Sequence, residues 1–341
     1  PRSTQGVSSA ASDVYKRQVV SHVHVDQNLK QAYDSAVDRI ERLVSRLSKP
    51  LDLPPKKSQT LDKSIDTNWN FTKKEYKEIV NRCKEYIIAG DIIQVVPSQS
   101  ASRYTTATPL DIYQALRTLN PSPYMYFLSL GDFHIIGASP EALVRVEGQK
   151  VYNFPLAGTF PRGLTPDEDA ALAKKLQGDE KERAEHIMLV DLGRNDVGRV
   201  SEPGSVEVMD LMRVVRYSHV MHLESEVHGT LRSDLTMYDA LRSCLPAVTL
   251  AGAPKIRAIE IVADMEKQRR GPYGGAVGYF GFQGNMDIAI PIRTILLKNQ
   301  MAYVQAGGGI VYDSDPEAEY QETLRKAQAP LRAIQKAEEG L

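Results

Sequence analysis

Two pairs of glutamates are the first residues whose type and spacing could do chemistry. In DEKERAEHIMLVDLGRND (179–196), Glu182 and Glu185 share a stripe with Leu189 and Leu192, because residues three and four apart lie on one helix face. Glu185 then points toward the apolar side, where an uncompensated carboxylate is costly. Taken alone, a charged face beside a core stripe explains the pair equally well. A second pair changes the balance. Glu319 and Glu322 recur with Lys326 along EAEYQETLRKA, behind an Asp315-Pro316 helix start. Two helices, each offering an i,i+3 carboxylate pair, can supply oxygen ligands to a hard cation. Mg2+ suits such a set, since it takes few protein carboxylates and completes its octahedron with water and substrate. No His/Cys set competes for a softer metal.

Glycine is the next clue. QAGGGIVYDSD (305–315) puts Gly307, Gly308 and Gly309 at a strand-to-loop junction, where bare backbone N–H groups can approach an anion. It matches neither GxGxxG nor a P-loop, because no Lys-Ser/Thr follows. GPYGGAVGYFG (271–281) is similarly rich and offers Tyr273 beside the backbone. Tight turns with close strand packing account for either run as well. Arg293 interrupts the apolar run DIAIPIRTILL, so it needs a partner: an internal carboxylate, or a ligand's carboxylate held by the planar fork. His222 alternates with Glu224, Glu226 and His228 in SHVMHLESEVHG, where a strand histidine is ordinarily structural.

These residues must be positioned by a chain of 341 residues, enough for one large or two modest domains. With 42 basic and 43 acidic residues, no basic excess points to a nucleic-acid partner. No apolar run reaches the roughly 18 residues of a membrane helix. Cys83 and Cys244 form no CxxC or Cys/His cluster, and a reducing, cytoplasmic setting is expected. VVSHVHV (19–25) alternates like a strand, and 27–48 shows helical spacing through Leu29, Ala36, Ile40, Val44 and Leu47. The prolines of 49–66 predict a linker. Beyond it, Thr72 and Glu75 predict a capping box opening a helix that runs to Gly90. IIQVVPSQ (92–99) reads as a buried strand and 109–120 as a helix. Strands follow in YMYFLSL, FHIIGAS, ALVRVEG and KVYNFP, then AVGYFGF, MDIAIPIRTILLK and MAYVQAGGGIVY, with helices near 168–192, 234–245, 254–267 and 316–335. Paired antiparallel strands interleaved with helices predict an α+β fold rather than repeated βαβ units.

Together, GASPEALVRVEG, PLAGTFPRG, DEKERAEHIMLVDLGRNDVGRV, SHVMHLESEVHG, TLAGAPKIRAIEI, GPYGGAVGYFG and VQAGGGIVYDSDPEAEYQET resemble the chorismate-utilising enzymes, in particular their anthranilate synthase component I branch. The resemblance runs over essentially all of 19–341 in motif order. It implies two large, mostly antiparallel β-sheets packed as a sandwich with helices outside and the active site in the cleft between them. The polar, Ser-rich and aperiodic residues 1–18 read as a disordered or foreign leader, and the resemblance divides the rest into a remnant of the N-terminal region with its linker (19–66) and a chorismate-binding catalytic domain (67–341).

Carried over motif by motif, the resemblance makes Glu185 and Glu322 direct Mg2+ ligands, with Glu182 and Glu319 acting through water. Gly158, Thr159, Tyr273, Arg293 and Gly307 to Gly309 become chorismate contacts. Glu141 becomes the acid that protonates the departing 4-hydroxyl, and His222 is tied to pyruvate elimination. Gln94 stands where isochorismate and salicylate synthases carry a lysine base that activates water. Ala157 stands where aminodeoxychorismate synthases carry a nucleophilic lysine. Those two positions imply ammonia as the nucleophile, and the overall resemblance implies anthranilate and pyruvate as products and tryptophan biosynthesis as the setting. No glutaminase triad is visible, so the resemblance implies a separate glutamine amidotransferase subunit, component II. An aminodeoxyisochorismate synthase that stops before pyruvate loss, or an inactive truncated homologue, are the alternatives. Typical members are longer at the N-terminus, where a Leu-Leu-Glu-Ser-like segment completes a tryptophan pocket. NPSPYMYF (120–127) matches the other half, implying inhibition through Pro123, Tyr124 and Met125.

Overall fold

The computed structural model describes residues 18–23, 28–50, 67–217 and 220–340. The chain divides into two units, Pro1–Lys57 and Ser58–Leu341. In the first, α1 (Leu29–Leu47) starts at Asn28, whose side chain accepts from Gln31 N at 3.1 Å. The strand expected in VVSHVHV is not found: 18–23 have no regular structure, and the rest of that segment lies outside the described residues. So do most of the expected linker and the expected leader up to residue 17.

The second unit begins with β1 (Asn68–Trp69) and α2 (Lys73–Ile88), which Thr72 and Glu75 close with the expected capping box. Thr72→Ala is predicted to cost about 1 kcal/mol, read as a lower urea midpoint at unchanged slope. Next come β2 (Gln94–Val95), β3 (Ser98–Tyr104), α3 (Pro109–Leu119), β4 (Tyr124–Ser129), β5 (Phe133–Ser139), β6 (Ala142–Glu147), β7 (Lys150–Asn153) and β8 (Leu156–Pro161). Then α4 (Pro166–Gly178) and α5 (Glu180–Gly198) replace the single helix expected near 168–192, broken where Asp179 caps α5. The remainder is β9 (Glu207–Arg216), β10 (Val220–Thr230), α6 (Met237–Cys244), α7 (Val248–Ala251), β11 (Gly252–Ala253), α8 (Lys255–Met265), β12 (Val277–Phe280), β13 (Met286–Ala289), β14 (Thr294–Lys298), β15 (Met301–Gly307) and α9 (Pro316–Glu338).

One antiparallel sheet has the order β1-β3-β15-β14-β5-β4, the other β12-β13-β6-β7-β10-β8. In the second, β7 and β8 lie end to end along one edge of β10, and β9 follows the other edge. Alternation explains the layering. On the first sheet Met125, Phe127, Ile136, Ala138, Ile295 and Val304 turn one way and pack with Leu116, Ala327 and Ile334 of α3 and α9. On the second, Val144, Val146, Met286 and Ile288 pack with Val190, Val197 and Ala240 of α5 and α6. The opposite faces meet through polar groups: Tyr124 donates to Asp287 at 3.0 Å and accepts from Arg145 at 3.4 Å. The aliphatic cores therefore lie on the helix-covered sides of this α+β sandwich.

The run MDIAIPIRTILLK, expected as one strand, serves both sheets. β13 belongs to the second and β14 to the first, with Ile290 to Arg293 crossing between them. The link from β5 to β6 crosses alongside: Ile290 N donates to Glu141 O at 3.1 Å, and Ser139 Oγ to Ile290 O at 2.6 Å. IIQVVPSQ is likewise split at Pro97, giving β2, which pairs with β11, and β3. β8 and β9 were not foreseen: β8 has few apolar residues, and those of β9 (Val208, Met209, Leu211, Met212, Val214 and Val215) come in adjacent pairs instead of the alternation that marks a strand.

Candidate active site

The paired crossovers bring Glu141 and Arg293 together at the seam of the two sheets. Arg293 holds a left-handed backbone, φ 50°, which costs a residue with a Cβ on the order of 1 kcal/mol. Its half-buried guanidinium forms no ion pair among the described residues. Burial pushes its pKa down, while the nearby Glu141 carboxylate and Tyr217 phenol oppose that shift. The internal salt bridge that would have made this arginine purely structural is not formed.

Glu141 keeps partial exposure, yet burial lifts its carboxyl to about 7. The Thr249 hydroxyl, Lys326 and Arg293 act in the opposite direction. A carboxylic acid still protonated near neutrality is what a general acid requires. Because the folded pKa lies above the unfolded one, the folded state holds the extra proton between about pH 4.3 and 7. Stability therefore falls as pH rises through that window. Glu141→Gln is predicted to be more stable than the parent at pH 8, in paired melts, and to have lost the basic limb of the kcat profile near pH 7.

His222 is 6 % exposed on β10. Its Nδ1 lies 2.5 Å from Gly158 O, so Nδ1 carries the proton and donates, with the Thr159 hydroxyl at 3.3 Å. Nε2 is left buried without a partner. Burial lowers the imidazole's pKa, Arg293 lowers it further, and the bond to Gly158 opposes them. The ring is thus neutral at pH 7, with a free lone pair on Nε2.

The glutamates converge from two helices. Asp179 caps α5 by accepting from Glu182 N at 3.1 Å, and Asp315 caps α9 by accepting from Ala318 N at 2.8 Å. Glu182 and Glu185 are raised first by burial, then by neighbouring carboxylates, Glu322 among them. Glu319 is raised by burial and by Glu322, with the Ser314 hydroxyl, 2.8 Å away, opposing. Lys326 lies 2.8 Å from Glu322 and 3.0 Å from Gly307 O, and with Lys181 it only partly offsets the rise of Glu185 and Glu319. Among the described residues, no three His, Cys, Asp or Glu side chains close as a finished metal cage. The donor set nevertheless fits a hard cation: all oxygen, crowded, and mutually repelling. Mg2+ in particular needs only one or two protein carboxylates.

Glycines let this cluster approach the backbone. A Cβ at Gly158 would lie 3.0 Å from Glu182 Oε2, and one at Gly308 would lie 2.9 Å from Glu319 Oε2. At Gly307 it would meet the Tyr273 hydroxyl at 2.9 Å, and at Gly309 the Gln94 Nε2 at 2.6 Å. Tyr273 is 7 % exposed, and burial raises its phenol. Gln94, 4 % exposed, leaves Oε1 unpartnered, and Ala157 packs within β8. Glu141, Gly158, Thr159, Glu182, Glu185, His222, Tyr273, Arg293, Gly307 to Gly309, Glu319 and Glu322 thus form one connected neighbourhood. Tyr124 faces Asp287 between the sheets, and Met125 turns into the core beneath α3 and α9.

The profile of the chorismate binding enzyme family matches residues 4–332. The chain belongs to that family. Anthranilate synthase component 1 of Acetivibrio thermocellus is 51% identical over 328 residues, covering 95% of this chain and 66% of that protein. Its counterpart in Pseudomonas aeruginosa is 50% identical, covering 94% and 65%. The chain thus spans just under two thirds of the length of these relatives. The crystal structure of anthranilate synthase component I from Streptococcus pneumoniae superposes with a TM-score of 0.80 at 44% identity, covering 91% of this chain and 69% of that one. The menaquinone-specific isochorismate synthase from Escherichia coli shares the fold, with a TM-score of 0.75 at 22% identity over 88% of this chain and 68% of its own.

For this chorismate-binding family member, three neighbours of the site had no role read from the sequence. Lys326 was visible four residues beyond Glu322, and its meaning depends on Gly307, which only the fold brings to it. Thr249 lies within a recognised motif but shows its place only beside Glu141. Tyr217, edge-on to His222 at 5.7 Å, carried no signal.

Proposed function

We propose that this chain is the chorismate-converting part of an anthranilate synthase, acting on chorismate, ammonia and Mg2+ to release anthranilate and pyruvate. The observation that carries the proposal is Arg293, without an ion-pair partner among the described residues, at a site whose glutamates are raised by burial and only partly offset by Lys181 and Lys326. Such a polarised cleft suits a dicarboxylate bound together with a divalent ion. Arg293 and the Tyr273 hydroxyl would hold one carboxylate, against the open backbone at Gly307 to Gly309. Glu185 and Glu322, with Glu182 and Glu319 behind them, would hold Mg2+, which when bound neutralises and orients the second carboxylate. Glu141 donates its proton to the departing 4-hydroxyl, which leaves as water, while ammonia adds at C2. The neutral His222, with Nε2 free, assists the later loss of pyruvate. Neutral ammonia needs no base from the Gln94 position, and Ala157 offers no competing nucleophile. A glutamine amidotransferase subunit would supply the ammonia, in a cytoplasmic setting where the buried thiols of Cys83 and Cys244 remain reduced.

The purified chain, incubated with chorismate, ammonium chloride and Mg2+, is expected to produce anthranilate fluorescence and an equal amount of pyruvate. A non-aromatic amino product without pyruvate would replace this reading by an aminodeoxyisochorismate synthase. No consumption of chorismate would defeat both.

A further inference from the structure

Beneath Tyr273 lies an arginine that the chemistry described above does not use. Arg270 donates from Nε to Glu266 Oε2 at 2.9 Å and from Nη2 to Glu266 Oε1 at 2.6 Å, and this carboxylate is nearly inaccessible. Its other bonds run to main-chain carbonyls: Nη1 to Leu250 O at 2.5 Å and Nη2 to Val96 O at 2.6 Å. The guanidinium covers the Tyr273 ring 5.5 Å from its centroid, and Tyr273 N donates to Arg270 O at 3.1 Å. Glu266 extends the network by accepting from Ser98 N at 2.8 Å and Ser98 Oγ at 2.7 Å. Ser98 Oγ also accepts from Gln305 Nε2 at 2.7 Å, on the strand that ends at Gly307.

The bonded groups share one property. Leu250 follows Thr249, Val96 lies two residues beyond Gln94, and Gln305 lies two residues before Gly307. The Leu250 and Val96 segments bond to the planar fork directly, Tyr273 lies against it, and the Gln305 segment is joined to it through Ser98 and Glu266. A buried ion pair made only for stability gives little net gain after desolvation, and an apolar pair of equal volume serves as well. Directional bonds to carbonyls, with a ring laid on the cation, specify geometry instead. We infer that Arg270, oriented by Glu266, is the positioning residue that holds the Tyr273 hydroxyl at the Gly307 turn and so sets the affinity of the site for its anionic substrate. This rests on the chorismate reading above.

The test is steady-state kinetics with chorismate on the full chain, comparing the parent with Arg270→Ala, Arg270→Lys, Tyr273→Phe and the Arg270→Ala/Tyr273→Phe double variant. Removing the fork is expected to raise KM about tenfold, with kcat falling much less. Added guanidinium ion should restore KM in Arg270→Ala, where sodium at equal ionic strength does not. The double variant should be no worse than Arg270→Ala alone, because the two residues act as a unit. An unchanged KM in Arg270→Ala, additive losses in the double variant, or a loss confined to the melting temperature would overturn the inference. If the alanine variant fails to fold, Arg270→Lys carries the same comparison, since it keeps the charge and loses the planar fork. A parent protein that neither binds nor consumes chorismate would overturn the functional reading itself, which separates the two failures.

Discussion

Replacing Glu185 or Glu322 with glutamine is expected to abolish Mg2+-dependent turnover while making the metal-free protein harder to melt. Glu322 raises the neighbouring Glu185 carboxyl, and Lys181 and Lys326 offset this only in part, so removing either carboxylate relieves repulsion in the folded state. The amide keeps the volume and loses the charge that a hard cation needs. Turnover is expected to drop by at least about 100-fold, since even substitutions behind a metal's own ligands cost 10–100-fold. Glu182, Glu185 and Glu319 are all raised by burial, so the folded state takes up protons above the unfolded carboxyl range near pH 4.3. The stability of the metal-free protein therefore declines as pH climbs through their raised values, and saturating Mg2+ should flatten that decline. Melting curves at several pH values, with Mg2+ or with EDTA, read both effects. An unchanged Mg2+ titration in both variants, together with unchanged melting, would remove these glutamates from the site.

Arg293 carries the second large expectation. Arg293→Ala should lower kcat/KM for chorismate by on the order of 10²–10³-fold, the range for losing one partner of a desolvated charge pair. Arg293→Lys should recover only part, because an ammonium cannot reproduce the two-pronged bond to a carboxylate. The left-handed backbone adds a separate check. Arg293→Gly should be about 1 kcal/mol more stable than Arg293→Ala while being just as inactive. Equal melting temperatures for the two would show that the turn is unstrained. Unaltered kinetics in the alanine variant would show that the guanidinium meets no substrate.

Much of the fold was legible because its elements announce themselves locally. Thr72/Glu75 and Asp315-Pro316 are start signals whose meaning needs no tertiary context, and both open helices where expected. The helix positions of the glutamate pairs follow from the same local rules. What local rules could not reveal was where the chain changes sheets. Ile290 to Arg293 is apolar on either side, so nothing in its periodicity separates one long strand from two short ones. The site was legible in its residue types and hidden in its pairings. That Arg293 lacks an ion-pair partner among the described residues, that His222 is fixed through Gly158 O, and that Lys326 reaches Gly307 all depend on how residues distant in sequence are brought together.

The double crossover also limits how this sequence can change in length. Adding or removing one residue between Ile290 and Arg293 would shift β14 by one step and exchange its two faces, sending Ile295 and Leu297 out of the core. The same slip would carry the guanidinium away from Glu141. Substitution at these positions is graded, but an insertion would break packing and chemistry together. By contrast, Gly284 at the turn between β12 and β13 meets nothing within 4 Å of where a Cβ would sit. Gaps in alignments of this family are therefore expected to collect at that turn and to be absent from the tetrapeptide, where the number of residues matters as much as their kind.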